Sequence, residues 1–125
     1  MLPQLNRTAV IVRPKEAFLA WATEVFASEA EAPTRADVEE AFLNQAPSVY
    51  LLPEVDIEDE AMLDEAMSEF CELIFDSELE AWCEDTERWP ANLGWETFQE
   101  WFEWDVLGGI FDTFDDELTL ETPEA

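Results

Sequence analysis

Two short runs of mostly β-branched or large apolar residues stand out first. Thr8-Ala9-Val10-Ile11-Val12 and Ser48-Val49-Tyr50-Leu51-Leu52, the latter closed by Pro53, read as strands buried on both faces. Between them the apolar period lengthens. Phe18, Leu19, Ala22, Val25 and Phe26 recur at helical spacing. They predict a helix from Pro14, a residue suited to a first helical turn, to about Ser28. Glu29 to Pro33 reads as a loop. Thr34, with Asp37 three residues on, is an N-terminal cap for a brief helix through Phe42 and Leu43.

In the second half, Asp56 opens the longest helical stretch, Ile57 to about Glu87. Up to residue 75 its expected inward face is Leu63, Ala66, Met67, Phe70, Leu73 and Ile74. The apolar phase then moves to Leu79, Trp82 and Cys83. Ser77-Glu78-Leu79-Glu80 also matches a capping box, so a kink or restart is expected near Asp76–Ser77. Trp89 to Gly94 is a turn. Trp95, Phe98, Trp101 and Phe102 predict a short aromatic helix over Trp95–Trp104. Val106 to Phe114 is expected as a third strand, with Val106, Gly108, Ile110 and Phe114 on one face. Gly108-Gly109 marks a bulge or a close backbone approach within it.

The order β-α-α-β-α-α-β predicts an α/β or α+β fold. It consists of a small three-stranded sheet covered by helices, with the first two strands parallel across a helical crossover. Residues 1–114 form the expected single domain, and 115–125 an acidic, frayed tail. With 48% apolar residues, six Trp and nine Phe, the chain can fill a core and is no disordered acidic segment. No apolar run approaches the roughly 20 residues that span a bilayer. Met1 to Arg7 lacks the basic-then-apolar order of a leader, so a cytoplasmic location is expected. Cys71 and Cys83 would lie about 18 Å apart on one straight helix, out of disulfide reach, and read as small apolar core residues.

The net charge is -27, with no His. Residues 1–53 hold four basic and seven acidic residues; residues 54–125 hold one basic residue, Arg88, and 25 acidic ones. Without His, Ser-His-Asp, Cys-His and zinc-His sites are excluded. Phosphate-cradling glycine loops and the EF-hand pattern are also absent. Asp112, Asp115, Asp116 and Glu117 are a weak Ca²⁺ or Mg²⁺ cluster of a kind that 32 carboxylates produce by chance. No catalysis, metal or cofactor is expected.

On a helical wheel Glu58, Glu65, Glu69, Glu72, Asp76, Glu80 and Glu87 fall within about 80° of each other, opposite Leu63, Met67, Phe70 and Ile74. Steps of three and four residues place neighbouring carboxylates about 6 Å apart. Residues 57–87 hold thirteen acidic residues. Over a straight helix of about 46 Å that is one charge per roughly 3.6 Å, close to the ~3.4 Å of a DNA strand. Helix faces normally interleave Lys or Arg at i+4, but here only Asp and Glu occur. Each pair at about 6 Å repels by about 0.7 kcal/mol in water, a sum large enough to imply that the negative charge is retained for use. Together with Asp115, Asp116 and Glu117 the stripe forms the candidate partner-binding surface. Trp89, Trp95, Trp101 and Trp104 are core residues by spacing and candidate aromatic anchors by type.

Three readings fit. In charge and size alone the chain resembles the acidic anti-restriction and anti-CRISPR proteins of mobile elements and other DNA mimics. That resemblance implies a bacterial or phage inhibitor that occupies the phosphate-binding groove of a basic, nucleic-acid-binding protein and does not itself bind nucleic acid. The alternative is an immunity protein, antitoxin, secretion chaperone or adaptor that binds one partner, with Trp as anchor and charge for steering. The third is a salt-adapted housekeeping domain. Against it, Glu outnumbers Asp by 22 to 10 and residues 1–53 are not especially acidic. The chain is expected as a monomer, or as a dimer through the Trp segment, since the charged face repels itself. Thermal unfolding checks the clustering. Stability should rise between low and moderate salt and with mild acidification, as screening and protonation relieve repulsion; a flat response would mean the charges are dispersed.

Overall fold

The computed structural model describes residues 1–27, 31–44 and 47–120. Its elements are β1 (Arg7–Pro14), α1 (Glu16–Val25), α2 (Arg35–Leu43), β2 (Val49–Pro53), α3 (Glu60–Trp82), α4 (Trp95–Trp101) and β3 (Phe102–Leu107), with a 3-10 turn at Thr86–Arg88. The β-α-α-β-α-α-β order builds an α+β fold. β1 is the central strand of a three-stranded sheet ordered β2-β1-β3 and runs antiparallel to both neighbours. The expected parallel pairing of the first two strands is thus corrected. A parallel return needs a crossover that brings the chain back to the same end of the sheet. Here two helices follow β1, and the second adds a further change of direction before β2.

Alternation along the strands decides which sheet face is covered. Val10 and Val12, Tyr50 and Leu52, and Phe102, Trp104 and Val106 join the core or lie against it. On the opposite face Val49, Leu51 and Leu107 remain 53%, 52% and 41% exposed. Burial on both faces is therefore corrected for β2, because the helices cover one side of the sheet only. Arg13 and Asp105 form an ion pair at 2.8 Å on that open side.

Element boundaries move where two periodicities compete. Pro14 ends β1 rather than opening a helix, and Lys15 stands at the N-cap position of α1 without a capping side-chain hydrogen bond. Ser28, Glu29 and Ala30 lie outside the described residues. The aromatic helix stops at Trp101, and the chain turns straight into β3 at Phe102. Phe102, Trp104 and Val106 point inward while Glu103, Asp105 and Leu107 point out. This two-residue alternation overrides the helical spacing that extended the helix to Trp104 and delayed the strand to Val106. After β3, pairing resumes as a bridge between Gln4 and Phe111, with the register slipped by one residue. A side chain at Gly108 would come within 3.0 Å of Ile57 Cδ1, the close approach its glycine permits.

α2 forms as the sequence predicts. Thr34 Oγ1 accepts from the Asp37 N–H at 3.1 Å and Asp37 accepts from the Thr34 N–H at 3.0 Å. The long helix differs in three ways. It begins at Glu60 under the cap of Asp59, not at Ile57. It ends at Trp82, with Cys83 as its C-cap. It also runs without restart through Asp76 and Ser77, so Ser77-Glu78-Leu79-Glu80 is helix interior and not a cap. Its buried residues, Ala66, Met67, Cys71, Ile74, Phe75 and Leu79, form one continuous stripe that needs no change of phase. Leu73, expected inside, is 66% exposed, while Phe75 is fully buried. Cys71 is buried and Cys83 half-buried, both as free thiols.

That register is checked by two truncations. Phe75→Ala should cost about 3–5 kcal/mol in denaturant unfolding, and Leu73→Ala within about 0.5 kcal/mol of nothing. A larger loss from Leu73→Ala than from Phe75→Ala would place the helix in the other rotation.

Candidate functional site

The structure divides the expected acidic stripe. Glu65, Glu69, Glu72, Asp76 and Glu80 all lie on α3, with Asp76 half-buried and the others exposed. They span about 23 Å of helix axis. Glu58 precedes the helix in a turn where its N–H donates to Asp56 Oδ1 at 3.0 Å. Glu87 follows it in the 3-10 turn, its N–H donating to Asp85 Oδ1 at 3.1 Å. Both are exposed, but neither continues the row along one axis. The 46 Å rod is therefore corrected. α3 is about 34 Å long, and with eight acidic residues it carries one per roughly 4.3 Å, sparser than a DNA strand. Asp115, Asp116 and Glu117 are exposed and line a hollow with Met1, Leu2, Pro3 and Leu5, not with any residue of α3. The rest of the expected tail, residues 121–125, lies outside the described residues.

What distinguishes the α3 face is that its carboxylates lack cations. Among the described residues, ion pairs join Arg13 to Asp105 and Arg35 to Glu16 and Glu39. None reaches α3. Lys15 Nζ donates to the Gln99 carbonyl at 3.0 Å, Arg7 donates to Asn6, and Arg88 donates to the Val25 carbonyl. Basic side chains among the described residues thus serve carbonyls, Asn6, Glu16, Glu39 and Asp105, and none serves an α3 carboxylate. The last turn of α3 also holds no basic residue. Glu80 stands there against the negative end of the helix dipole, where Lys or Arg would be favoured. Repulsion and dipole both act against this arrangement.

The four tryptophans singled out as anchors are all half-buried and packed on the core. Trp101 lies among Phe18, Trp21 and Phe75, with centroids 6.0, 6.1 and 5.5 Å away. Trp95 stacks on Phe98 at 5.8 Å and tilts against Trp104 at 5.9 Å. The Trp89 indole N–H donates to the Cys83 carbonyl at 2.8 Å. These rings form an outer layer of the core, each of them partly exposed. Among the described residues no group of three or more carboxylate or thiol side chains could hold a metal ion. No described helix is long and apolar enough to cross a membrane.

One residue of chemical interest escapes the stripe. Glu78 is half-buried on the sheet-facing side of α3, where the Tyr50 hydroxyl donates to its Oε2 at 2.9 Å. The same hydroxyl lies 3.2 Å from Ser77 Oγ. Burial pushes the Glu78 carboxyl above its ordinary value, opposed by the Tyr50 hydrogen bond. Burial and the neighbouring carboxylate push the Tyr50 phenol up to about 12. The signal for Glu78 was in the sequence, since it lies four residues from both Ile74 and Trp82.

A carboxyl whose folded value is raised stabilises the fold below its ordinary value and loses that contribution as pH rises through the raised one. Stability should therefore fall with rising pH above about 4.5, the ordinary Glu value. Glu78→Gln should remove part of that slope. Superimposable slopes for the two proteins, measured by chemical denaturation across pH 4–8, would show Glu78 to be solvated. No family model matches the chain, nor does any curated protein or solved structure, so function is read here from charge, burial and geometry alone.

Proposed function

We propose that this chain is an acidic binding protein that docks on a basic protein surface, and that it acts as a nucleic-acid mimic, inhibiting a nucleic-acid-binding protein. The observation that carries the reading is the exposed α3 face, whose carboxylates have no cation among the described residues. A folded chain at net charge -27 repels phosphates and attracts the grooves that receive them. Such binding is fast, steered from a distance and weakened by salt. The sparser spacing on α3 fits a groove that meets a few phosphates along one strand better than one that follows a long duplex. Nothing in the proposal requires catalysis or a cofactor.

The partner-specific module without mimicry remains the second reading, favoured by the apolar cleft described below. The two separate in one experiment. The partner is captured from the source cell, and double-stranded DNA or RNA is then added in competition. A mimic is displaced; a single-partner module is not. Replacing Glu65, Glu69 and Glu72 by Gln and Asp76 by Asn should raise the unfolding midpoint and weaken partner binding by more than about tenfold, as lost charge pairs of a few tenths to several kcal/mol imply. Unchanged affinity in that quadruple variant places the interface elsewhere.

A further inference from the structure

The acidic residues of α3 are exposed except Asp76 and Glu78, which are half-buried, and Glu78 lies about 160° round the helix from the centre of the stripe. There the carboxylate lines a cleft of about 570 Å³. The cleft opens where β1 runs on past Ile11, its last residue paired to β2, so that Val12 to Pro14 have β3 on one side and no strand on the other. Half-buried Phe42 and Trp82 supply its aromatic surface, with Phe18 and Phe102 buried beneath it. Glu39 of α2 and Glu103 of β3 join Glu78 on the walls. Arg13 is the only cation among the described lining residues, and Asp105 already holds it at 2.8 Å. Glu39 lies 3.1 Å from Arg35 Nε, close enough for an ion pair but without hydrogen-bond alignment. Glu78 and Glu103 make no ion pair among the described residues.

We propose that this cleft is a binding site for an arginine side chain carried on an apolar segment of a partner protein. Its guanidinium would meet Glu78, and its stem and apolar neighbours would lie on the half-buried rings of Phe42 and Trp82. A half-buried carboxylate answered only by the Tyr50 hydroxyl is costly to keep, and a cation entering the cleft offsets that cost. An apolar hollow with a few convergent charged groups has the form of a small-ligand site, and its volume suits a few side chains. Arginine fits better than lysine. Its planar, weakly hydrated guanidinium stacks on aromatic faces and pairs with carboxylates in two-pronged fashion. The site stands whether or not the α3 stripe imitates phosphates.

The test needs no partner and no nucleic acid. The isotopically labelled full chain is titrated with acetyl-Leu-Arg-Leu-amide, with the peptide carrying Gln in place of Arg, and with a tri-arginine peptide, in 0.15 M salt. The Leu-Arg-Leu peptide should give saturable shifts confined to the cleft, including the Trp82 indole. Exchange of Arg for Gln in the peptide, and separately Glu78→Gln in the protein, should each weaken binding by about tenfold, the loss expected for one charge-assisted pair. Ala81→Trp, at an exposed position on the cleft, should abolish the shifts while leaving the rest of the spectrum unchanged. Equal binding of the Gln peptide overturns the assignment. So do shifts spread along α3 that tri-arginine reproduces and that vanish in 0.3 M salt, and so does the absence of shifts at millimolar peptide.

Discussion

Phe18, Phe75, Phe98 and Phe102 meet at the centre of the molecule, each no more than 2% exposed. Phe102 touches the other three, with centroids 5.2 Å from Phe18, 5.2 Å from Phe75 and 5.0 Å from Phe98. These four rings tie α1, α3, α4 and β3 together, and the six tryptophans form a second layer around them. Such a core is what a chain of this charge requires. Fully burying a large apolar side chain contributes about 1.5–3 kcal/mol, and aromatic pairs add about 0.5–1.5 kcal/mol each. Each carboxylate repulsion on α3 subtracts less than one such contact. The surface can stay negative because the interior is dense in rings.

Much of this was legible from period and type. The element order, the capping box at Thr34 and the inward Met67 and Ile74 follow from local rules, and local rules hold there because no distant contact opposes them. Where the reading differs, a longer-range effect decides. Phe102 satisfies a helical spacing with Trp95 and Phe98, and the expected helix ran on to Trp104, yet both residues sit in β3, because pairing with β1 satisfies backbone groups and buries the same rings. Leu73 and Phe75 are both apolar, and only the three-dimensional position of the sheet selects Phe75. The direction of β2 depends on how α1 and α2 turn the chain, which neither helix encodes alone.

The candidate site was legible to a similar degree. Composition marked residues 54–125, and wheel geometry found Glu65 to Glu80. It could not place Glu58 and Glu87 off the helix, since that depends on where capping by Asp59 and Cys83 ends the backbone ladder. Nor could it pair Glu78 with Tyr50, which stands 28 residues away in sequence on another element. The same chain thus presents two acidic environments: solvated carboxylates on one face of α3, and a half-buried one against the sheet on the other.

The unbroken course of α3 through Asp76 and Ser77 bears on the entropy of recognition. Five carboxylates on one continuous helix hold fixed backbone positions relative to each other before any partner arrives. A disordered acidic tail with the same charge would lose roughly 1–2 kcal/mol of backbone entropy for each residue it ordered on binding. On α3 that loss has already been met in folding, so the basic surface proposed as its partner would meet an array whose spacing is set in advance. Only the side-chain rotamers remain to be ordered.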